Sequence, residues 1–495
     1  MRRLFILCAI LCVWGGILSV WLMTFATSAN PTSPRMVADN PCLTAHPEWL
    51  PTTPIPTFDQ PPPHPEPDCP FYQAAWQTFL YATQPDSNGR PRFLSSYSTI
   101  EDLFGAPAAP EFAKEQSGIL SLAPRTIQSP NEKPFPTSNH SPGIGAGINQ
   151  AGLRGILIDQ NGNPIYYAIH VNDVFANFIR QNGLTTKDAL INADPEKLEF
   201  GQGAIELKSA WQIVNDDAPP SNYFTTKALV PRLKIQNGNL VVDNASRKVT
   251  VALIAIHVVF VLKNHPEFIW STFEHIGADG HGIRDNAPAA PANPDLPGST
   301  VISNSNWPLF KAGTSVAGAN SPSSPQDLVN SFDETAQKFK KGVETSVYRM
   351  FTFSKSDDSL KVEGVLKFQE DGDIADLNMV MRQLFDTTPL DKKDKRRHYQ
   401  LVGAVWLDNP GRDFKSNMLF QNLPGQGTDA DGAMVAGEDR LSSTAMESFT
   451  QFDNPNCFSC HNTKRVTEDI THKPIVGPKR LNVSHVMSKF LADLK

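Results

Sequence analysis

The chain has 495 residues, with 44 Lys and Arg against 51 Asp and Glu and a formal charge of −7. Hydrophobic residues at 40% and charged residues at 19% exclude a wholly disordered chain and a multi-span membrane protein. The mildly acidic balance leaves no electrostatic footprint for nucleic acid, and the 41 prolines must fall in loops or linkers, because proline breaks helix interiors and central strands.

Arg2 and Arg3 precede an uncharged apolar run from Leu4 to Phe25, followed by the small residues Ala26, Thr27, Ser28 and Ala29. A basic start, an apolar run and a small-residue end read as an export signal. The run is 22 residues, longer than an ordinary signal core and long enough to span a bilayer. Residues 1–29 are thus expected to be a cleaved signal peptide or a retained membrane anchor, with the body delivered to the periplasm or another extracytoplasmic space. Residues 30–70 form a proline-rich arm, with nine prolines between Pro51 and Pro70, suited to an extended linker or strap. Cys42 and Cys69 lie in that arm. In an oxidising space they would form either a disulfide or two free thiols, since spacing alone does not fix pairing.

Residues 71–437 are expected to form an α+β body. Phe71–Thr83 carries Phe71, Ala75, Trp76, Phe79 and Leu80 in helical register. Gly152–Asp159 and Pro164–Val171 alternate around Gln160-Asn161-Gly162-Asn163, a β-hairpin signal. Helices are expected over Asp173–Gln181, Lys187–Ala193, Gln326–Phe351 and Ile374–Phe385. Strands are expected over Ala204–Val214, Thr225–Leu233, Leu240–Asp243, Lys248–Leu262 and His398–Leu407, with Asn237-Gly238 as a turn. Gly277 to Pro325 reads as a loop. Tight turns between strands favour a largely antiparallel sheet, with residues 438–495 packed on the body as a C-terminal segment.

That last segment holds the motif with the clearest chemistry. Asn456-Cys457-Phe458-Ser459-Cys460-His461 is Cys-x-x-Cys-His, the attachment signature of c-type haem. Two thiols on one turn can each add to a vinyl group of the same porphyrin, and the adjoining imidazole reaches the iron. Cys457 and Cys460 are therefore expected as haem thioethers, His461 as the proximal iron ligand, and one covalent haem c as the cofactor. A zinc site would want a second ligand pair at motif spacing, which the sequence lacks. For the sixth ligand the candidates are His472, His485, Met487 and, upstream, Met446, with an open or water-bound position as the alternative. If Ser484 caps a terminal helix, Met487 falls on an apolar stripe with Val483, Val486, Phe490, Leu491 and Leu494, and His485 turns towards solvent. A strand would put Met487 and His485 on one face. Methionine ligation would raise the reduction potential, whereas an open site would admit small molecules.

Other patterns carry less. Gly143-Ile144-Gly145-Ala146-Gly147 lacks the spacing of a dinucleotide loop, and Gly313-Thr314-Ser315-Val316-Ala317 is read as a turn rather than a nucleophile elbow. His257, His265, Glu274, His275 and His281 crowd together with Trp270 and read as structural or exposed histidines at a strand end. They are also the best second-site candidate in the body. Lys392, Lys393, Lys395, Arg396 and Arg397 read as a solvated loop.

On these residues the chain resembles a c-type cytochrome. More narrowly, Asn264–His275, Ser443–Phe449 and the haem motif resemble stretches of a family of large exported bacterial proteins with one C-terminal haem. The resemblance implies haem binding and electron transfer; the expected partner is a redox protein or small electron donor or acceptor, and the charge balance argues against nucleic acid. The leading expectation is an exported mono-haem cytochrome c passing single electrons. The alternatives are a periplasmic haem oxidoreductase whose body binds a substrate near His257–His281, and a haem-based sensor or partner-binding module.

Overall fold

A computed structural model describes residues 41–50, 55–59, 68–104, 120–124, 155–276, 297–350, 354–356, 368–370, 372–388, 394–418, 435–438, 440–451, 456–467 and 474–486. The apolar run Leu4–Phe25, the Gly143–Gly147 pattern, His281, Lys392, Lys393, His472 and Met487 lie outside the described residues. All described residues belong to one unit, Pro41–Lys495. Among them no helix is long and apolar enough to cross a membrane.

The architecture is α+β with a largely antiparallel sheet. Its principal strands are β1 (Tyr166–Val171), β2 (Ile205–Val214), β3 (Thr225–Gln236), β4 (Asn239–Leu262), β5 (His265–His275) and β6 (Tyr399–Leu407). The spatial order β1-β2-β4-β5-β6 is antiparallel throughout, and β3 pairs antiparallel with the first half of β4. Short strands add to the edges, Leu120–Ser121 being the parallel exception. The β3–β4 hairpin turns at Asn237 and Gly238, both at positive φ, 51° and 72°, as the Asn-Gly pair dictates. Leu240–Asp243 and Lys248–Leu262, expected as two strands, are parts of the single strand β4.

One expectation is corrected and one strand was not foreseen. Helix over Gln326–Phe351 stops early: Ser324 caps a short helix, Pro325–Ser331, and Phe332–Asp333 then pairs with Lys338–Phe339 across a turn in which Gln337 sits at φ 54°. Phe332 and Phe339 bury against Leu328, Leu233 and Leu240, a gain that outweighs the helix preference of the intervening Glu, Ala, Gln and Lys. Asn264–His275, for which no element was expected, is nearly all β5, a central strand with Phe268 at φ 72° marking a bulge.

Each face of the sheet has its own cover. On one, helix α1 (Cys69–Thr83) and helix α4 (Gly372–Thr387) pack Trp76, Phe79, Leu377 and Met381 on Ile256, Phe260, Phe273 and Leu401. Phe79 stacks on Phe273 at 4.2 Å. Asn378 of α4 serves the β5–β6 bulge: its Oδ1 accepts from Leu401 N–H at 3.0 Å and its Nδ2 donates to Leu401 O at 2.8 Å. On the other face lie helix α2 (Asp173–Gln181), helix α3 (Lys187–Asn192) and the chain after Gly437. The basic run is likewise structural at Arg396, which is buried against Asp394 and the Leu80 carbonyl.

Cys42 and Cys69 form a disulfide, their Cα atoms 5.3 Å apart. It ties the first half of the arm to the first turn of α1. Closing a separation of 27 residues stabilises by about 3 kcal/mol through the unfolded chain. Cys69→Ser is expected to lower unfolding free energy by that amount in urea denaturation, and reductant to have the same effect on the wild type.

Candidate functional site

Alternation along the strands sends Glu206 and Lys208 of β2, His257 of β4, and Trp270, Thr272 and Glu274 of β5 to the same face. Register confirms the rows: Lys208 pairs with His257 and His257 with Thr272, while Val259 lies between Glu206 and Trp270. In isolation this polar face would meet water. Here the segment 440–486 covers it and turns most of these groups into anchors.

Glu274 holds the lead-in to the motif. It pairs with Arg349, and its Oε1 accepts from Thr444 N–H at 2.8 Å, Ser443 Oγ at 3.0 Å and Thr444 Oγ1 at 3.1 Å. One turn on, Glu447 Oε1 lies 3.0 Å from His257 Nε2, and His257 Nδ1 lies 2.9 Å from Thr272 Oγ1. Glu447 Oε2 accepts from Ser443 N–H at 2.7 Å. Tyr167 of β1 donates to the Ala445 carbonyl at 2.7 Å, and Met446 is buried among Ala445, Phe449 and Ile254.

The motif then forms a 3₁₀ turn, Cys457–Ser459, capped by the Asn456 side chain, which accepts from Phe458 N–H at 3.0 Å. His461 N–H donates to Cys457 O at 2.9 Å, so both thiols and the imidazole issue from one tight bend. Phe458 is buried against the sheet beside Trp270, Val405 and Val483. Cys457 and Cys460 are free and half-buried. Beyond the motif, Lys479 reaches back to α3 and its Nζ donates to the Leu190, Ile191 and Ala193 carbonyls at 2.7, 3.0 and 3.1 Å. Arg480–Val483 is a 3₁₀ turn ending at Ser484. Ser484 ends that turn; its Oγ donates to Glu206 Oε2 at 2.7 Å and accepts from Val486 N–H at 3.4 Å, while the helix expected after it lies almost wholly outside the described residues.

His461 is placed with care. Its Nδ1 lies 2.8 Å from the Val483 carbonyl, so Nδ1 carries the proton and Nε2 keeps a lone pair. Trp270 lies 3.9 Å from it, ring centre to ring centre, and His485 3.8 Å. His485, expected towards solvent on a helix, is half-buried inside the site instead. Its Nε2 is a buried atom without a hydrogen-bond partner.

Desolvation governs the electrostatics. It holds His461 well below the ordinary imidazole value, with His485, Lys208 and His257 adding to the effect. His485 is lowered to about 4 by desolvation and then Lys208. Both rings are thus neutral at pH 7, the form that binds metal. Desolvation pushes the Cys460 thiol up to about 12, with Glu447 next, and raises Cys457 in the same way. For Glu447, desolvation is the largest influence and pushes upward, but His257 and the Ser443 amide together carry it below the ordinary carboxyl value.

The donor set fits a c-type haem: two thiols on one turn and a neutral imidazole whose Nδ1 proton is engaged by a carbonyl. Among the described residues no group of three or more His, Cys, Asp and Glu is arranged to hold a bare metal ion, whereas a porphyrin brings four ligands of its own. Of the body's histidine cluster, His257, Trp270 and Glu274 do converge on the motif. His275 instead stacks on Tyr223 at 3.5 Å, and His265 pairs with Glu267 at 2.9 Å next to Phe71. Sequence reasoning missed Glu206 and Lys208, and it named Ser484 only as a helix cap and Glu447 only within the lead-in stretch; for the first two, the one available signal was charge alternating with apolar residues along Ile205–Trp211.

Compared with protein-family models, curated proteins and solved structures, the chain matches none.

Two outcomes test this arrangement. Glu274→Ala strips the buried Arg349 of its carboxylate and is expected to cost about 3–5 kcal/mol in chemical denaturation. Burial raises Glu206 from 4.5 to about 7, against the Ser484 bond and the Lys208 and His257 charges, which lower it. The folded state then holds this proton more tightly than the unfolded chain. Stability should fall as pH rises from 4.5 to about 7, by roughly 3 kcal/mol, and level off above. Glu206→Gln should remove that slope and raise the denaturation midpoint at pH 8.

Proposed function

We infer that the chain is an exported mono-haem c-type cytochrome that passes single electrons outside the cytoplasm, with Cys457 and Cys460 as thioether anchors and His461 as the proximal ligand. The observation that carries this reading is the Val483 carbonyl on His461 Nδ1 at 2.8 Å. A proton fixed on Nδ1 reserves Nε2 for a metal and makes the ring a stronger donor. A haem at this motif supplies a one-electron ferric–ferrous couple whose potential follows ligation, burial and nearby hydrogen bonds. Trp270 and Phe458 keep water from one side of the imidazole, and Lys208 places a positive charge on the strand beneath.

The test is expression of the full chain in cells with working c-type maturation. A Soret band, a c-type pyridine haemochrome and a mass raised by one haem are expected. Cys460→Ala should shift the haemochrome band as one thioether is lost, and His461→Ala should lose the native ferric spectrum. A colourless wild-type preparation of bare-polypeptide mass would sink the reading. Spectra with carbon monoxide or cyanide then separate a pure carrier, indifferent to either, from an oxidoreductase or gas sensor.

A further inference from the structure

The ring of His461 has a neighbour on each face. Trp270 is inclined to it by 37° at 3.9 Å, and His485 by 23° at 3.8 Å. Two rings so near and so close to parallel cannot share one face of an imidazole, so His461 is held between them. Both walls are themselves fixed. Trp270 is buried, and its Nε1–H donates to the Glu267 carbonyl at 3.3 Å. His485 lies beside the backbone of Cys460, and its chain neighbours Ser484 and Val486 are buried, the former on Glu206. The Val483 carbonyl sets the tautomer, and the two walls set the plane.

Resting on the motif reading above, we propose that His485 is a positioning residue for His461 and not a ligand to the iron: with Trp270 it fixes the plane of the proximal imidazole. Two axial imidazoles approach one iron from opposite sides, each presenting a nitrogen end-on. These two lie face to face and present no nitrogen to a common ion. The setting of an axial ring about its bond to iron decides how its π orbitals overlap the metal's, so the plane is legible in the electron paramagnetic resonance of the ferric state and contributes to the potential. His485 also touches the second attachment residue, Cys460, so one side chain holds the imidazole and steadies the turn beside it.

The experiment uses the matured full chain as wild type, His485→Ala, His485→Phe and Trp270→Leu. For each, the pyridine haemochrome, the near-infrared ligand band, the paramagnetic resonance of the resting and cyanide-bound ferric protein, and the potential are recorded. All four should carry covalent haem with the same near-infrared ligand set. His485→Ala should shift the g-values and change the ferric-to-ferrous ratio at fixed potential by about threefold, ~30 mV for a one-electron couple. His485→Phe, which keeps an aromatic wall, should restore both. Trp270→Leu opens the other face and should shift both, which keeps the proposal testable if His485→Ala does not fold. Loss of the wild-type near-infrared band in His485→Ala would make His485 a ligand, and unchanged resonance and potential would make it a bystander; either overturns the proposal while leaving the motif reading intact. A haem-free wild type overturns both, and is told apart because no His485 variant enters that measurement.

Discussion

A broad antiparallel sheet with apolar side chains on both faces must be covered on both. Helices α1 and α4 cover one. The other is closed by α2, α3 and the last part of the chain, and this second closure is what the candidate site depends on. Because the cover is the segment bearing the Cys-x-x-Cys-His turn, the groups that seat it also surround the motif. Glu274 with Ser443 and Thr444, His257 with Glu447, and Glu206 with Ser484 are polar contacts from three neighbouring strands, each ending on that segment.

Such contacts hold a position more than they add net stability. Buried charges roughly offset their desolvation when well paired and cost heavily when stripped of a partner. The arrangement therefore penalises any misplacement of residues 443–447, while Phe458, Val483 and Val486 supply the apolar area that drives docking. Lys479, with three carbonyls of α3 and the residue beyond it, sets the far end. His461 lies between these fixed ends, which is why its plane and its tautomer are both determined.

Much of the fold was legible locally. The Asn237-Gly238 turn, the β2 and β6 strands and the helices α1, α2 and α4 follow from turn chemistry and periodicity that the tertiary structure did not override. The failures have physical causes. Residues 332–340 have helix-favouring composition, but two phenylalanines find a better burial as a hairpin. β5 was concealed by Pro266, by two histidines and by a bulge at Phe268. At the site, Cys457, Cys460 and His461 are written in adjacent positions and can be read directly. Their supports are not, because Glu206 and Lys208 alternate with apolar residues as an exposed strand face would. Only the return of a segment over two hundred residues later makes that face an interior, and no local pattern announces it.

The sulfurs of Cys457 and Cys460 illustrate what this closure implies for the order of events in the cell. Once the tail has settled, both thiols are protonated and half-buried, unlike the electropositive setting in which cysteine is reactive. Strands β1 to β6 are all synthesised before the motif, so the sheet is complete in sequence while the tail is still emerging. Any group destined for those sulfurs would reach them more readily in that interval than after the tail has settled. The finished fold would then hinder the very step that its own closure follows.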